Sequence, residues 1–182
     1  MDTTGLLPKL TDADSVYKIK EYSELMATAL QYVIKPPMVI VELVTTDIQL
    51  LTNVGEYPIN WNKRTGDASM NGTAFPSRLI APVAGFYTVA ATAIFSNTTG
   101  GQRTVGFLSF TGANHATRKY HRGMNHINPS ASFYPEVNGE ITLALAAGDW
   151  VEVTVETALQ SATTNIKADQ GTRAVMKYER AL

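Results

Sequence analysis

The pair Pro36-Pro37 marks the point where the apolar residues of this chain change their spacing, and that change constrains the fold more than any other feature. Before it, apolar residues recur every three or four positions. From Met38 onward they alternate with polar ones. The first period belongs to a helix with one buried stripe, and a period of two belongs to strands with one buried face. Two segments of different character are therefore predicted, residues 1–37 and residues 38–182. The prolines end the helix because proline lacks a backbone donor and drives the preceding residue out of the α region.

The helix is predicted over residues 12–34. Pro8 precedes it, and Asp12 or Asp14 can cap its N-terminus, where a carboxylate also suits the helix dipole. Val16, Ile19, Ser23, Met26, Leu30 and Val33 are spaced as the a and d positions of a short coiled coil. Tyr22, Leu25, Ala29 and Tyr32 form a second line on an adjacent face, and Lys18, Lys20, Glu21 and Glu24 flank the seam. Two readings stay open. Either Val16, Ile19, Met26, Leu30 and Val33 join copies of the chain, or the helix packs on its own domain. With fewer than three heptads, a coiled coil needs help from whatever it is attached to.

Beyond Pro37 the pattern predicts many short strands without crossover helices. Met38–Leu51 is long and β-branched, enough for one bent strand or two. Leu79, Ala81, Val83, Tyr87, Val89, Ala91, Ala93 and Phe95 line one face of an extended stretch interrupted by a turn at Gly85. Val105–Phe110 follows a turn at Thr99-Gly100-Gly101. Ile141, Leu143 and Leu145 lead to a turn at Gly148-Asp149. Val151, Val153 and Val155 then alternate with Glu152, Thr154 and Glu156, and the last strand carries Ala174, Met176 and Tyr178. Such a run predicts a mainly β, antiparallel jelly-roll sandwich with a short N-terminal helix.

Composition narrows the function classes. The formal net charge is −1 and there is no cysteine. A near-neutral chain has no field to draw it to nucleic acid, and thiolate metal sites and disulfides are excluded. No apolar run reaches membrane-span length, so no membrane insertion is expected. Met1–Gly5 lacks the pattern of a signal peptide, so a route other than classical secretion is expected.

The order of motifs resembles a known family. Asn60-Trp61-Asn62, Thr65-Gly66-Asp67, Phe75, Ala81–Val89 (APVAGFYTV), Leu145–Val153 (LAAGDWVEV) and the strand Arg173–Tyr178 follow one another at the separations found in tumour-necrosis-factor and complement globular-head jelly-rolls. The resemblance covers residues 38–182. It implies a homotrimer with aromatic or aliphatic side chains packed around a threefold axis, for which Tyr87 and Val89 are the candidates. Val89 stands where an aromatic residue is frequent in the animal proteins. The N-terminal tether and helix resemble the attachment segments of bacteriophage tail proteins. That likeness implies a virion tail component, assembled in the host cytoplasm and joined to other tail or virion proteins through residues 1–37.

Several residues invite sharper readings. Arg118, Lys119, Tyr120 and Arg122, in the polar stretch Gly112–Pro129, are candidates for contact with a host cell-surface glycan; an ordinary charged loop or a subunit contact is the alternative. Trp150 falls on the parity of Glu152 and Glu156, which predicts an outward or intersubunit position, while simple burial of Trp61 and Trp150 is equally open. His115, His121 and His126 match no metal-ligand spacing, and no cofactor is expected. Glu152 and Glu156 lie about 13 Å apart on an extended strand, too far for a glycosidase pair. No nucleophile elbow, zinc-protease motif or phosphate loop occurs, and Ser130 or Ser132 beside a histidine is an arrangement any chain permits. The expectation is a non-enzymatic trimeric tail-tip or tail-fibre head. A capsid decoration or head-fibre protein and a soluble carbohydrate-binding module are the alternatives.

Overall fold

The helix ends where the prolines require: α1 spans Ser15–Ile34, and Pro37 is already buried against the next segment. A computed structural model of the chain describes residues 15–50, 55–96, 100–113, 116–127, 134–159 and 163–182. The caps expected from Asp12 and Asp14 lie outside these residues. The chain divides into two units, Met1–Pro36 and Pro37–Leu182. In the first, the described large apolar side chains Ile19, Leu25, Met26 and Leu30 are all more than half exposed.

The second unit is built from strands β1 (Met38–Glu42), β2 (Ile48–Leu50), β3 (Tyr57–Pro58), β4 (Lys63–Gly66), β5 (Arg78–Ile80), β6 (Gly85–Ile94), β7 (Gly101–Thr111), β8 (Ala116–Ile127), β9 (Glu136–Leu145), β10 (Trp150–Leu159), β11 (Thr164–Ile166) and β12 (Arg173–Arg180). Their pairings are all antiparallel. The first sheet has the order β4-β1-β12-β6-β9, and the second runs β3-β10-β7-β8 with β5 also on β10; β11 pairs with β2. Strand neighbours far apart in sequence make this an antiparallel jelly-roll sandwich with a short N-terminal helix. The stretch Met38–Leu51 forms two strands rather than one, because Leu43–Asp47 breaks the ladder between β1 and β2.

The alternation read from the sequence sets the core. Val39, Val41, Tyr87, Val89, Met176 and Ile141 of the first sheet meet Val105, Phe107, Val151, Val153 and Val155 of the second, and each is 5% exposed or less. Burial of such side chains stabilises the sandwich by about 1.5–3 kcal/mol each, which is why β-branched residues recur at these positions.

The Gly148-Asp149 turn is tied by a carboxylate. Asp149, 7% exposed, accepts hydrogen bonds from the Ala146 N–H of its own turn and from the Gly112 N–H at the β7–β8 turn, each at 2.9 Å. Its backbone carbonyl accepts from Ala81 N–H at 2.8 Å. One residue thereby joins three segments.

The structure corrects one reading of the sequence here. Much of the stretch Gly112–Pro129, taken as a polar loop, is the twelve-residue strand β8. It is the edge of its sheet, so its composition carries little of the aliphatic alternation by which inner strands are recognised. A bulge at Val105/Gly106 bends the pair β7–β8. Beyond the bulge, Gly123 of β8 passes so close to β9 that an added Cβ would overlap the Asn138 carbonyl. The two sheets therefore approach each other along one flank of the sandwich.

Candidate functional site

Strand β6 positions the first candidate surface. Gly85 leaves room for the Tyr178 ring, which an added Cβ would strike. Tyr178 meets Tyr87 edge-to-face at 5.4 Å, and the Tyr87 hydroxyl donates back to Val83 carbonyl oxygen at 2.8 Å. That bond fastens the chain just upstream to the strand, as tyrosine corners do in other β-sandwiches. The motif APVAGFYTV is thus explained by local packing.

These contacts overturn the assignment of Tyr87 and Val89 to a subunit interface. Both side chains are fully buried within one chain, so neither has surface left for a neighbour. The residues of opposite parity, Phe86, Thr88, Ala90, Thr92 and Ile94, point out of the sandwich, and none is charged. In register beside Ala90 lie Val175 of β12 and then Ile40 of β1. Thr88 and Thr142 hydroxyls lie 3.1 Å apart, and Thr92 donates to Asn138 at 2.6 Å. Small side chains here leave a depression of about 440 Å³ bordered by Glu140 and Arg173. The outward residues of β6 carry no charge, but charge lies in register beside them: Glu140 next to Ala90, Lys177 next to Thr88 and Arg173 next to Thr92.

The outer face of the second sheet is organised differently. Trp150 has the outward parity expected, but it is only 9% exposed. Phe110 of β7 stacks on it at 5.0 Å and 14°, and the Arg78 guanidinium of β5 lies over its ring at 4.3 Å. Strands β7 and β5 flank β10 on opposite sides, so the two groups cover the indole from both flanks. The reading of Trp150 as a surface-binding platform is corrected accordingly. Arg78 also lies 4.1 Å over Phe75, which is 52% exposed.

The other surface candidates are divided between the two faces of β8. Strand parity puts Arg118 and Tyr120 on one face of β8, where the guanidinium sits 5.3 Å over the ring and Tyr120 packs against the core. Lys119 points the opposite way, to Glu56 at 2.6 Å and to Glu156. Hydrogen bonds to those two carboxylates raise its pKa despite some desolvation. Arg122 lies on β8 at the bulge, with its side chain outside the described residues. Of these candidates, Arg118 and Tyr120 are thus in contact, while Lys119 is engaged with two carboxylates on the other face.

On α1, Ile19, Met26 and Leu30 share one stripe and are exposed, while the side chains of Val16 and Val33 lie outside the described residues. Among the described residues there is no cluster of three or more metal-ligating side chains; His115, Ser130 and Ser132, and the side chains of His121 and His126, fall outside them. Trp61 is buried, 5% exposed. The residues missed from sequence are Arg78, Arg64, Lys63 and Asn71, whose grouping depends on contacts between strands and loops that carry no local pattern.

No model of a protein family matches this chain, and no curated protein matches it in sequence. Solved structures match its fold. Murine APRIL at pH 5.0 is 13% identical, covers 79% of this chain and 99% of its own length, and superposes with a TM-score of 0.53. Eiger TNF from S. frugiperda is 8% identical over 80% of this chain and 94% of its own, with a TM-score of 0.54. The likeness is one of fold, and it is the jelly-roll that the order of motifs resembles.

Proposed function

We propose that this chain is a homotrimeric, non-enzymatic head of a bacteriophage virion, placed at the tail tip or fibre. In this reading residues 1–37 attach it to neighbouring tail proteins and the head meets the host surface. The observation that carries the trimer is strand β6, uncharged on both faces. One face fills the sandwich core, and the other, Phe86 to Ile94, lies within an outer surface where Val175 and then Ile40 follow Ala90 on one side, with Glu140 on the other and Lys177 and Arg173 beside Thr88 and Thr92. A strand with no charge on either side is typical of one covered on both. A second copy supplies the missing cover, and the tumour-necrosis-factor-like resemblance implies three. The heptad spacing of Ile19, Met26 and Leu30, all exposed on α1, supports association of the helices too, because a trimeric head would hold three marginal helices together. The bacteriophage placement rests on the likeness of the N-terminal segment to tail attachment segments.

The test is light scattering coupled to size-exclusion chromatography on the full chain, followed by antibody labelling of virions. The expected mass is three times the 19.8 kDa of one chain, with label at the tail. A monomer removes the trimer, and label on the capsid or absence from virions removes the tail placement.

A further inference from the structure

Where the first sheet ends at β4, the chain turns through Ala68–Met70 and a loop that leads into β5. Together they enclose a depression of about 310 Å³ walled by Trp61, Lys63, Arg64, Asn71, Thr73 and Pro76. The walls are held in place. Asn71, 5% exposed, donates through its amide to the carbonyls of Pro76 at 3.1 Å and Arg78 at 2.7 Å. Arg64 donates to the Asn71 carbonyl, and Trp61 N–H reaches Pro76 carbonyl at 3.4 Å. A pocket fixed before binding loses less freedom when a ligand enters.

Its chemistry is one-sided. None of the described lining residues is acidic. Arg64 commits one guanidinium nitrogen to Asn71, leaving further donors of a group that carries five N–H bonds. Lys63 adds a second cation, whose partner Glu42 stands 2.7 Å away outside the lining. The buried Trp61 indole N–H has no acceptor among the described residues. Trp61 and Pro76 supply apolar wall, Thr73 a hydroxyl, and the same loop carries the exposed ring of Phe75. A guanidinium fork takes carboxylate or phosphate oxygens, and rings and proline take the C–H face of a sugar. The volume is at the small end of ligand pockets, about 300–1,000 Å³, which suits one unit of a polymer.

We propose that this depression binds one anionic sugar unit of a surface polysaccharide, with its carboxylate or phosphate on Arg64 and Lys63 and its ring against Trp61 and Pro76. The inference deepens the host-surface reading and rests on it for the identity of the polymer. The test is calorimetric titration of the full chain with a galacturonic acid trisaccharide, with a maltotriose phosphate, and with neutral maltotriose. One of the two anionic ligands is expected to bind saturably, more weakly at high salt, and maltotriose is not. Gly72→Glu is the decisive variant, because an added Cβ at Gly72 meets no atom within 4 Å, so the change brings a carboxylate to the wall without a clash. It should weaken binding at least tenfold, as should Arg64→Gln. Failure of both anionic ligands to bind, or binding that Gly72→Glu leaves intact, overturns the proposal. A virion-borne trimer that binds neither ligand overturns this inference alone, whereas a chain that binds but never joins virions overturns only the tail placement.

Discussion

Asp149 offers the sharpest test of how the head is held together. Asp149→Ala removes two hydrogen bonds to a carboxylate, from Ala146 N–H and Gly112 N–H, both at 2.9 Å. Bonds to a charged acceptor contribute about 1.5–3 kcal/mol each. Both donors belong to exposed residues, so water replaces the carboxylate once it is gone, and the lower end of that range applies. The expected loss is about 3 kcal/mol. Asp149→Asn keeps one acceptor oxygen and turns an NH₂ toward the second donor, so it should lose about half as much. Urea unfolding followed by tryptophan fluorescence reads the change, with Trp150 next to the altered site. Protein concentration must be fixed, because an oligomer's stability depends on it. With a slope of about 2 kcal/mol per molar urea, the Ala midpoint should fall by about 1.5 M. An Ala variant within about 1 kcal/mol of the native chain, or an Asn variant equal to it, would refute the view that this carboxylate clamps the turns.

Other outcomes follow from the same structure. Gly123→Ala places a Cβ on the Asn138 carbonyl and should cost about 3 kcal/mol or more by forcing β8 away from β9, read as a lowered thermal midpoint; an unchanged midpoint means the flank is loose. Ala90→Arg puts a charge on the uncharged strand β6, beside Glu140 of β9, and should convert the proposed trimer to a folded monomer, read by light scattering with circular dichroism unchanged; a persistent trimer moves the interface elsewhere. Asp47 supplies a pH test. Burial by itself raises its pKa, but bonds from Lys167 and from Ala168 N–H outweigh burial and leave it below the ordinary value. A depressed folded pKa gives stability that is full above the unfolded value of about 3.9 and fades as pH falls toward the folded one. Urea midpoints of Asp47→Asn should therefore lie below those of the native chain at pH 6 and converge with them in that acid range; parallel curves would show the pair contributes nothing.

How much was legible depended on where each strand lies. Strands β9 and β12 alternate aliphatic and polar residues because one face meets the core and the other is more open, and β10 alternates Val151, Val153 and Val155 with Glu152, Thr154 and Glu156 although its outer face is largely covered, so Val151, Val153, Ala174 and Met176 declared themselves. The helix end was legible because two prolines leave no alternative. Strand β6 gave its period but not its inner face. Tyr87 and Val89 on one side and Phe86, Thr88 and Ala90 on the other are all uncharged, and only packing against the second sheet decides between them. Strand β8 was missed because an edge strand running through a bulge has little aliphatic pattern to show. The cover over Trp150 depends on Arg78, seventy-two positions earlier in the chain, and the wall of the β4 depression on Asn71; register across strands, not spacing along them, brings these together.

The approach of β8 to β9 has a consequence for how identical heads coexist at close quarters. An open sheet edge is a template on which another chain can add a strand. Here Asn125 of β8 reaches the Glu136 carbonyl at 3.4 Å, so one flank of the sandwich is occupied by its own opposite sheet. On the other flank β3 and β5 are two and three residues long, and β4 has four exposed residues beginning with Lys63 and Arg64. Among the described residues, strand addition finds little purchase on these edges. Edge-to-edge growth, which has no natural end, is thereby disfavoured among crowded copies, and the trimer proposed through the broad face of β6 would close after three subunits.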